Sequence, residues 1–421
     1  MMIGSLKGVC LAFALSFPVI AQAQSYETGG IQLTFGTKIG LQTQSNATLS
    51  SADPGRTNTA TSALSIGVLT ETRSQRFAID LGLQLRGANG PAGATPSSGF
   101  VDPFVAVEYM REVASARLSF AAAYRETDLS QNADLIGPTG GITIATGTAT
   151  RRYADAEMEL EWGLDTPVSY GILARAENTT YRDGAATGIG GGALNDTKRQ
   201  MISASLQMDL NPVVRLSNTL SYRMFSEKNV PGQRQTLDFA SVLKLERPLG
   251  DLGFTLGYTD TPEGHRLRAE TNRDFEMPVG QLRTGLGVAR GVTGDTYVTG
   301  QVQFRQTVPR GGFEARMNRV LASSDQTDKE GINTSVNIRY RTEISALSAL
   351  ILKADWGRSK DTTSRLSTTT SAIGISYTRD VTRNLTFEVG LRHRRQSDDV
   401  TGRSRSNEVF IGLGHVLVTR Y

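Results

Sequence analysis

The sequence predicts an all-β fold: one antiparallel up-and-down transmembrane β-barrel of about 20 strands. Three observations predict it. Apolar and polar residues alternate at a period of two along most of the chain after residue 24. The alternating segments are joined by short and long connections in turn. No apolar run after residue 24 reaches the roughly 20 residues of a membrane helix.

Residues 1–23 read as a cleaved signal peptide. Lys7 supplies the positive region, Val9 to Ile20 the apolar run, and Ala21-Gln22-Ala23 the small-residue cleavage site. Residues 24–421 read as a single barrel domain, beginning almost at the first strand, so no separate plug domain is expected. Cys10, the only cysteine, lies inside the apolar run of the signal rather than after it, which argues against a lipoprotein. The mature chain then needs no disulfide in an oxidising compartment and has no thiolate metal site or cysteine nucleophile. No metal ligand cluster, phosphate loop or cofactor site is read from the sequence. The net charge is +4 and is scattered, so nucleic acid is not an expected partner.

The first strand shows the pattern. Ile31, Leu33, Phe35, Ile39 and Leu41 fall on one face, with Gln32, Thr34, Gly36, Lys38 and Gly40 on the other. An apolar face backed by a polar one over about ten residues suits a wall between lipid and water. A soluble sandwich strand alternates too, but it is shorter and its connections are alike at both ends. Here the connections differ. Strands at 63–70 and 76–86 are joined by 71–75, and a Gly/Pro/Ser-rich loop covers 87–99. Strands at 100–110 and 115–125 share another short turn, and 126–150 is the longest loop. Pro167, Pro212, Pro248, Pro278 and Pro309 mark later short turns, where a preset φ helps and a missing N–H does no harm. The other strands read 151–164, 169–180, 198–210, 214–225, 235–246, 251–258, 265–276, 281–290, 296–306, 312–322, 332–342, 348–358, 366–378, 384–395 and 405–421. The segment 265–276 is the least regular, because Arg273 would face outward. Without it another strand must go, leaving about 18. The short turns are assigned to the periplasmic end and the longer loops to the extracellular end.

Aromatics and glycines are sided. Tyr109, Trp162, Tyr170, Tyr340, Tyr377 and Tyr421 face outward at the short-turn end, and Tyr124, Tyr222, Tyr258 and Trp356 at the other. Two such girdles fit two membrane interfaces. Most strand glycines, among them Gly36, Gly82, Gly374, Gly390 and Gly412, fall on the inner face. About twenty strands at about 4.8 Å spacing and a tilt near 40° enclose a diameter near 40 Å, too wide for side chains alone to fill. Water or inward-folded loops must occupy it.

The last strand carries a resemblance. Val409, Ile411, Leu413, Leu417 and Tyr421 share one face, and the chain ends on that aromatic residue. This resembles the Gram-negative outer-membrane β-barrel proteins of porin type, whose closing strand ends in an aromatic residue read as an assembly signal. The outward His415 and Thr419 depart from that pattern. The resemblance covers the mature chain at the level of architecture and implies location in the cell outer membrane. It also implies contact with outer-membrane lipids and lipopolysaccharide, and with the barrel-assembly machinery. A homo-oligomer is left open.

The candidate pore-lining residues are charged and inward. Asp155, Glu157, Glu159 and Glu161 line up on one strand, with Arg175 expected opposite Glu159 across the hairpin. Arg339 and Arg341 lie on the strand at the far side of a twenty-strand ring, and Arg392 and Arg394 also point in. An acidic wall facing a basic one resembles porins and orients polar solutes; simple pairing along the wall accounts for the same residues. The apolar stretches Leu135-Ile136-Gly137-Pro138 and Ile142-Thr143-Ile144 suggest a long loop that either enters the lumen or packs on other loops. Acidic loop residues Asp325, Asp328, Glu330, Asp398 and Asp399 read chiefly as solvated. No catalytic residue is assigned; the one hydrolase constellation weighed, outward Ser371, His393 and Asn407, has no supporting motif. The favoured function is a channel passing small hydrophilic solutes by diffusion. Alternatives are an export conduit for a polysaccharide or polypeptide, then a structural or surface barrel, and remotely a lipid-facing hydrolase.

The parity assignment has a direct check. Leu81→Arg, on the lipid side, should lower folding stability in bilayers by about 2–4 kcal/mol, while Gln84→Arg on the inner side should cost little. Equal tolerance in a refolding titration would refute the assignment.

Overall fold

The computed structural model describes residues 30–92, 95–130, 145–188, 192–324 and 327–421. The signal peptide read at 1–23 lies outside the described residues, as do the apolar loop stretches 135–138 and 142–144. The strands are β1 (Ile31–Ser45), β2 (Arg56–Glu71), β3 (Gln75–Asn89), β4 (Gly99–Glu112), β5 (Ala116–Asp128), β6 (Thr146–Gly147), β7 (Thr150–Trp162), β8 (Val168–Arg182), β9 (Ala186–Thr187), β10 (Thr197–Asn211), β11 (Val214–Glu227), β12 (Arg234–Leu245), β13 (Leu252–Thr261), β14 (Gly264–Met277), β15 (Gly280–Arg290), β16 (Thr296–Val308), β17 (Gly311–Ser323), β18 (Glu330–Ser345), β19 (Ser348–Asp361), β20 (Ser367–Asp380), β21 (Leu385–Asp398) and β22 (Gly402–Arg420).

Twenty of these form one closed antiparallel sheet, each paired with the next in the chain, and β22 pairs back to β1. The short β6 and β9 form a separate two-stranded sheet. Every expected barrel strand is present, including the irregular one, β14, on which Arg273 stacks over Phe275 at 5.5 Å. The five turn prolines all fall in the short connections.

Closure is complete at the seam. β1 and β22 pair from Gln32↔Arg420 to Gln44↔Glu408. Ile31 donates its N–H to Tyr421 O at 3.0 Å, and Tyr421 N–H returns to Ile31 O at 2.9 Å. No strand edge is left facing lipid, where an unpaired peptide group has no substitute partner.

The outward face is apolar and exposed: Ile39, Leu81, Leu256, Leu286 and Ile373 stand clear of any protein neighbour that would cover them. Trp162 and Tyr170 stack at 5.6 Å at the short-turn end. Inside, two aromatics lie flat against the wall. Phe104 of β4 rests on Gly82 of β3, and Phe410 of β22 rests on Gly390 of β21. A Cβ at either glycine would fall inside the ring, so these glycines are required by close approach. Pro103 interrupts β4, where a register shift between Gly82 and Gln84 marks a bulge and Asp102 adopts φ 50°. The bulge aims the Asp102 carboxylate at Arg86 and at the N–H of Asp128, 3.0 Å away.

Gly390→Leu should therefore overpack the seam and destabilise the barrel by about 1–3 kcal/mol. Adding Phe410→Ala should recover most of the loss, because the ring that clashes is gone. Heat-modifiable mobility, followed against temperature, separates the single variant from the double.

Candidate functional site: the lumen and its mouth

At the loop end the wall splits between β16 and β17. β16 pairs with β17 only as far as Gly300↔Arg319. β17 and β18 continue together to Ser323↔Glu330. Beyond Arg319 the hairpin has no neighbour on the β16 side, while β18 stays paired with β19 as far as Gly331↔Asp361. Leu321 and Ile332 have the parity of lipid-facing residues, yet both are buried against Ala289 and Tyr297, which lie on the inner faces of β15 and β16. A nominally outward face can touch an inner wall only if the hairpin folds into the mouth. Burial of those apolar side chains favours that fold.

A set of arginines on the inner face holds the tip there. Arg266 of β14 donates to Ser323 Oγ at 2.8 Å and lies 3.5 Å from the Glu330 carboxylate. Arg234 of β12 donates to the Asp328 carboxylate at 3.3 Å and to its carbonyl at 3.1 Å. Arg223 of β11 reaches the same carboxylate at 3.6 Å. Arg199 of β10 donates to Ser324 O at 3.4 Å. Glu330 also accepts from Val292 N–H at 3.2 Å and Thr362 Oγ1 at 3.0 Å. Asp328 and Glu330, read from sequence as solvated loop acids, are instead buried. They are the anionic half of a latch that spans the lumen, because β17–β18 and β10–β14 are separated along the ring. A buried carboxylate is tolerated there because guanidinium partners surround it.

The described ends of the longest loop pack on another loop. Leu129, Ala145, Ala149 and Ala186 form a buried apolar cluster joined by Tyr181 and Leu194, and Gly147 pairs with Ala186.

The acidic residues Asp155, Glu157, Glu159 and Glu161 do share the inner face of β7, but the two that form ion pairs, Glu157 and Glu161, find their partners along the wall. Glu161 pairs with Arg117 of β5. Arg175 bridges Glu157 at 3.5 Å and Glu177 at 2.7 Å, and Glu177 continues to Arg199 at 3.2 Å. Arg175 is in register with Glu157, not with Glu159, which faces Leu173. The reason is the turn: Gly163 enters the left-handed region at φ 77°, Thr166 Oγ1 donates to Gly163 O, and β8 starts pairing at Tyr170↔Trp162. Sequence reasoning missed Arg117, Glu177 and Arg199, which become partners only once register is known.

Arg339 and Arg341 sit on β18, the sixteenth barrel strand, while β7 is the sixth. Arg339 is the register partner of Lys353 on β19, which the sequence reading did not single out. Arg392 lies 3.6 Å from Glu408, and Arg394 is buried.

The outward Ser371, His393 and Asn407 assemble only in part. His393 Nδ1 lies 2.7 Å from Asn407 Oδ1. Ser371 is opposite Arg395 rather than opposite His393, because the turn after β20 sets the pairing at Asp380↔Thr386 and brings Ile373 to His393.

No family model matches the sequence, and no curated protein sequence matches it. Solved structures do share its shape. The siderophore receptor PirA from Pseudomonas aeruginosa superposes with a TM-score of 0.51 at 9% identity, over 94% of this chain and 81% of that one. PirA from Acinetobacter baumannii gives 0.51 at 7% identity, over 94% and 81%. The fold is that of an outer-membrane β-barrel. A BenF-like porin from Pseudomonas fluorescens Pf-5 superposes at 0.43 and 9% identity, over 93% of this chain and 99% of that one. At these identities the likeness to the two receptors is one of architecture alone.

The latch can be tested without assuming any transport. Lys329 lies exposed beside Asp328 at the hairpin tip. Asp328→Asn removes the shared anion of Arg223 and Arg234. Trypsin cleavage at Lys329 in the reconstituted barrel should rise at least about tenfold, the ratio equivalent to ~1.4 kcal/mol. Unchanged cleavage would mean that the hairpin is held by other contacts.

Proposed function

We propose that this outer-membrane barrel is a channel for passive diffusion of small hydrophilic solutes, narrowed at its mouth by the β17–β18 hairpin. One observation carries the reading: the wall is apolar outside and densely charged inside. The inner charges need water or one another. Several buried polar atoms, including Thr57 Oγ1, Asp155 Oδ1, Thr299 Oγ1 and Gln396 Oε1, have no protein partner among the described residues. A dry lumen would leave them unpaired at considerable cost, so a wet one is favoured. The hairpin across the mouth favours small solutes over the alternative of an exported polysaccharide or polypeptide. The reading involves no catalytic step, and Ser371 stands out of register with the His393–Asn407 pair. Lipids of the outer membrane are the partner of the apolar exterior.

Reversal potentials across a salt gradient test this. Replacing Asp155, Glu157, Glu159 and Glu161 with their amides removes four negative charges, takes Arg117's partner Glu161 and leaves Arg175 with Glu177. Selectivity should move toward anions, most visibly near 0.01 M salt, where the Debye length is about 30 Å. Arg339→Gln with Arg341→Gln should move it toward cations. Unchanged selectivity in both, with conductance intact, would reject the lining role; absence of any conductance would reject the channel.

A further inference from the structure

The inner face of β18–β21 carries more cations than the acids beside it pair with. Three lie in one row across the wall. Arg339 is the register partner of Lys353, Lys353 of Gly374, and Gly374 of Arg392. Arg341 lies two residues from Arg339 on the same face, and Arg394 two residues from Arg392. Several arginines elsewhere on the inner wall have carboxylate partners: Arg175 and Arg199 share Glu177, and Arg223 and Arg234 share Asp328. Among the described cations of this arc, Arg392 alone forms an ion pair, with Glu408 at 3.6 Å.

The neighbouring acids are committed elsewhere. Asp355 accepts from Asn337 Nδ2 at 2.8 Å. Glu388 pairs with Lys38 at 3.1 Å. Glu314, in register with Arg339, pairs instead with Arg305 at 3.2 Å and Arg316 at 2.7 Å.

Two further observations turn this charged arc into a site. Arg394 is only 6% exposed, and its Nε and Nη2 have no hydrogen-bond partner among the described residues. A buried guanidinium with unused donors calls for an acceptor. The middle of the row is bare. At Gly374 an added Cβ would meet nothing closer than Leu391 O at 3.5 Å and Arg392 Cγ at 3.9 Å. Its same-face neighbours on β20, Ala372 and Ser376, are small. No side chain of β20 fills the gap between Lys353 and Arg392 in this row, and Arg394 lies diagonal to Gly374 across the β20–β21 pair.

We propose that this arc is an oxyanion subsite, which takes the carboxylate or phosphate group of a small solute inside the lumen. Arginine forks match the paired oxygens of either group, and Lys353 adds a point charge. Partial burial strengthens these contacts relative to open water. The proposal rests on the channel reading and names the solute class for it, but binding can be measured apart from conduction.

Inorganic phosphate, and separately succinate, are titrated calorimetrically into the full-length barrel in detergent, with chloride present throughout. Saturable binding of either probe supports the subsite, and the probe that binds more tightly identifies the group preferred. Lys353→Gln and Arg394→Gln should each weaken binding at least tenfold. Gly374→Leu keeps every charge and puts a side chain between Lys353 and Arg392, so it should weaken binding by a similar factor. Heat-modifiable mobility checks that each variant is folded. No saturable binding of either probe to the unaltered protein overturns the proposal. So does a Gly374→Leu variant that binds as tightly as the unaltered protein, since a diffuse positive potential would then explain the result. Conductance without saturable binding overturns the subsite and leaves the channel. Binding without conductance supports the subsite and overturns the channel.

Discussion

Lipid cannot hydrogen-bond a peptide group, and this protein is arranged around that constraint. It is met at the seam, where Ile31 and Tyr421 exchange hydrogen bonds and thirteen register pairs join β1 to β22. The rest follows from closing the sheet. Neighbouring strands run antiparallel, so their number is even. Five prolines sit in the short turns, where no ladder bond is lost, and Pro103 sits at the bulge of β4. Side chains alternate between lipid and lumen, so each strand carries an apolar and a polar face. Gly82 and Gly390 belong to the same logic, because an inward ring can lie flat only over a residue without a side chain.

The lumen faces the opposite problem. Charges brought together inside a wall need water or partners. Around β5–β10 they find partners along the wall: Glu161 with Arg117, and separately a run from Glu157 through Arg175 and Glu177 to Arg199. At the mouth they find them across the barrel, where Asp328 and Glu330 are held by arginines of β11, β12 and β14. Arg199 belongs to both systems through Glu177 and Ser324 O, so the acidic stripe and the hairpin are physically connected. On β18–β21 protein partners run short, and the field there is left open to a solute.

The period-two pattern made the barrel readable in advance, because a side chain's facing depends only on its place along a strand. The inward parity of Asp155, Glu157, Glu159, Glu161, Arg339, Arg341, Arg392 and Arg394 followed from the same rule. Contacts between strands did not. The expected pairing of Arg175 with Glu159 was off by two residues, because the left-handed Gly163 and the Thr166 bonds decide where β8 begins to pair. The same kind of offset put Arg395, not His393, opposite Ser371.

By itself, then, the sequence determined the strands, their number, their facing and the positions of their turns, since each is set by residues adjacent along the chain. The tertiary structure decided register, which depends on turn geometry, and it decided what blocks the mouth. Leu321 and Ile332 have the alternation of lipid-facing residues, and no local pattern distinguishes them from their neighbours. They are buried inside because β16 stops pairing with β17 at Arg319 and a set of arginines from distant strands meets the hairpin across the lumen. Those partners lie as much as 125 residues apart in the chain, and only closure of the sheet brings them together.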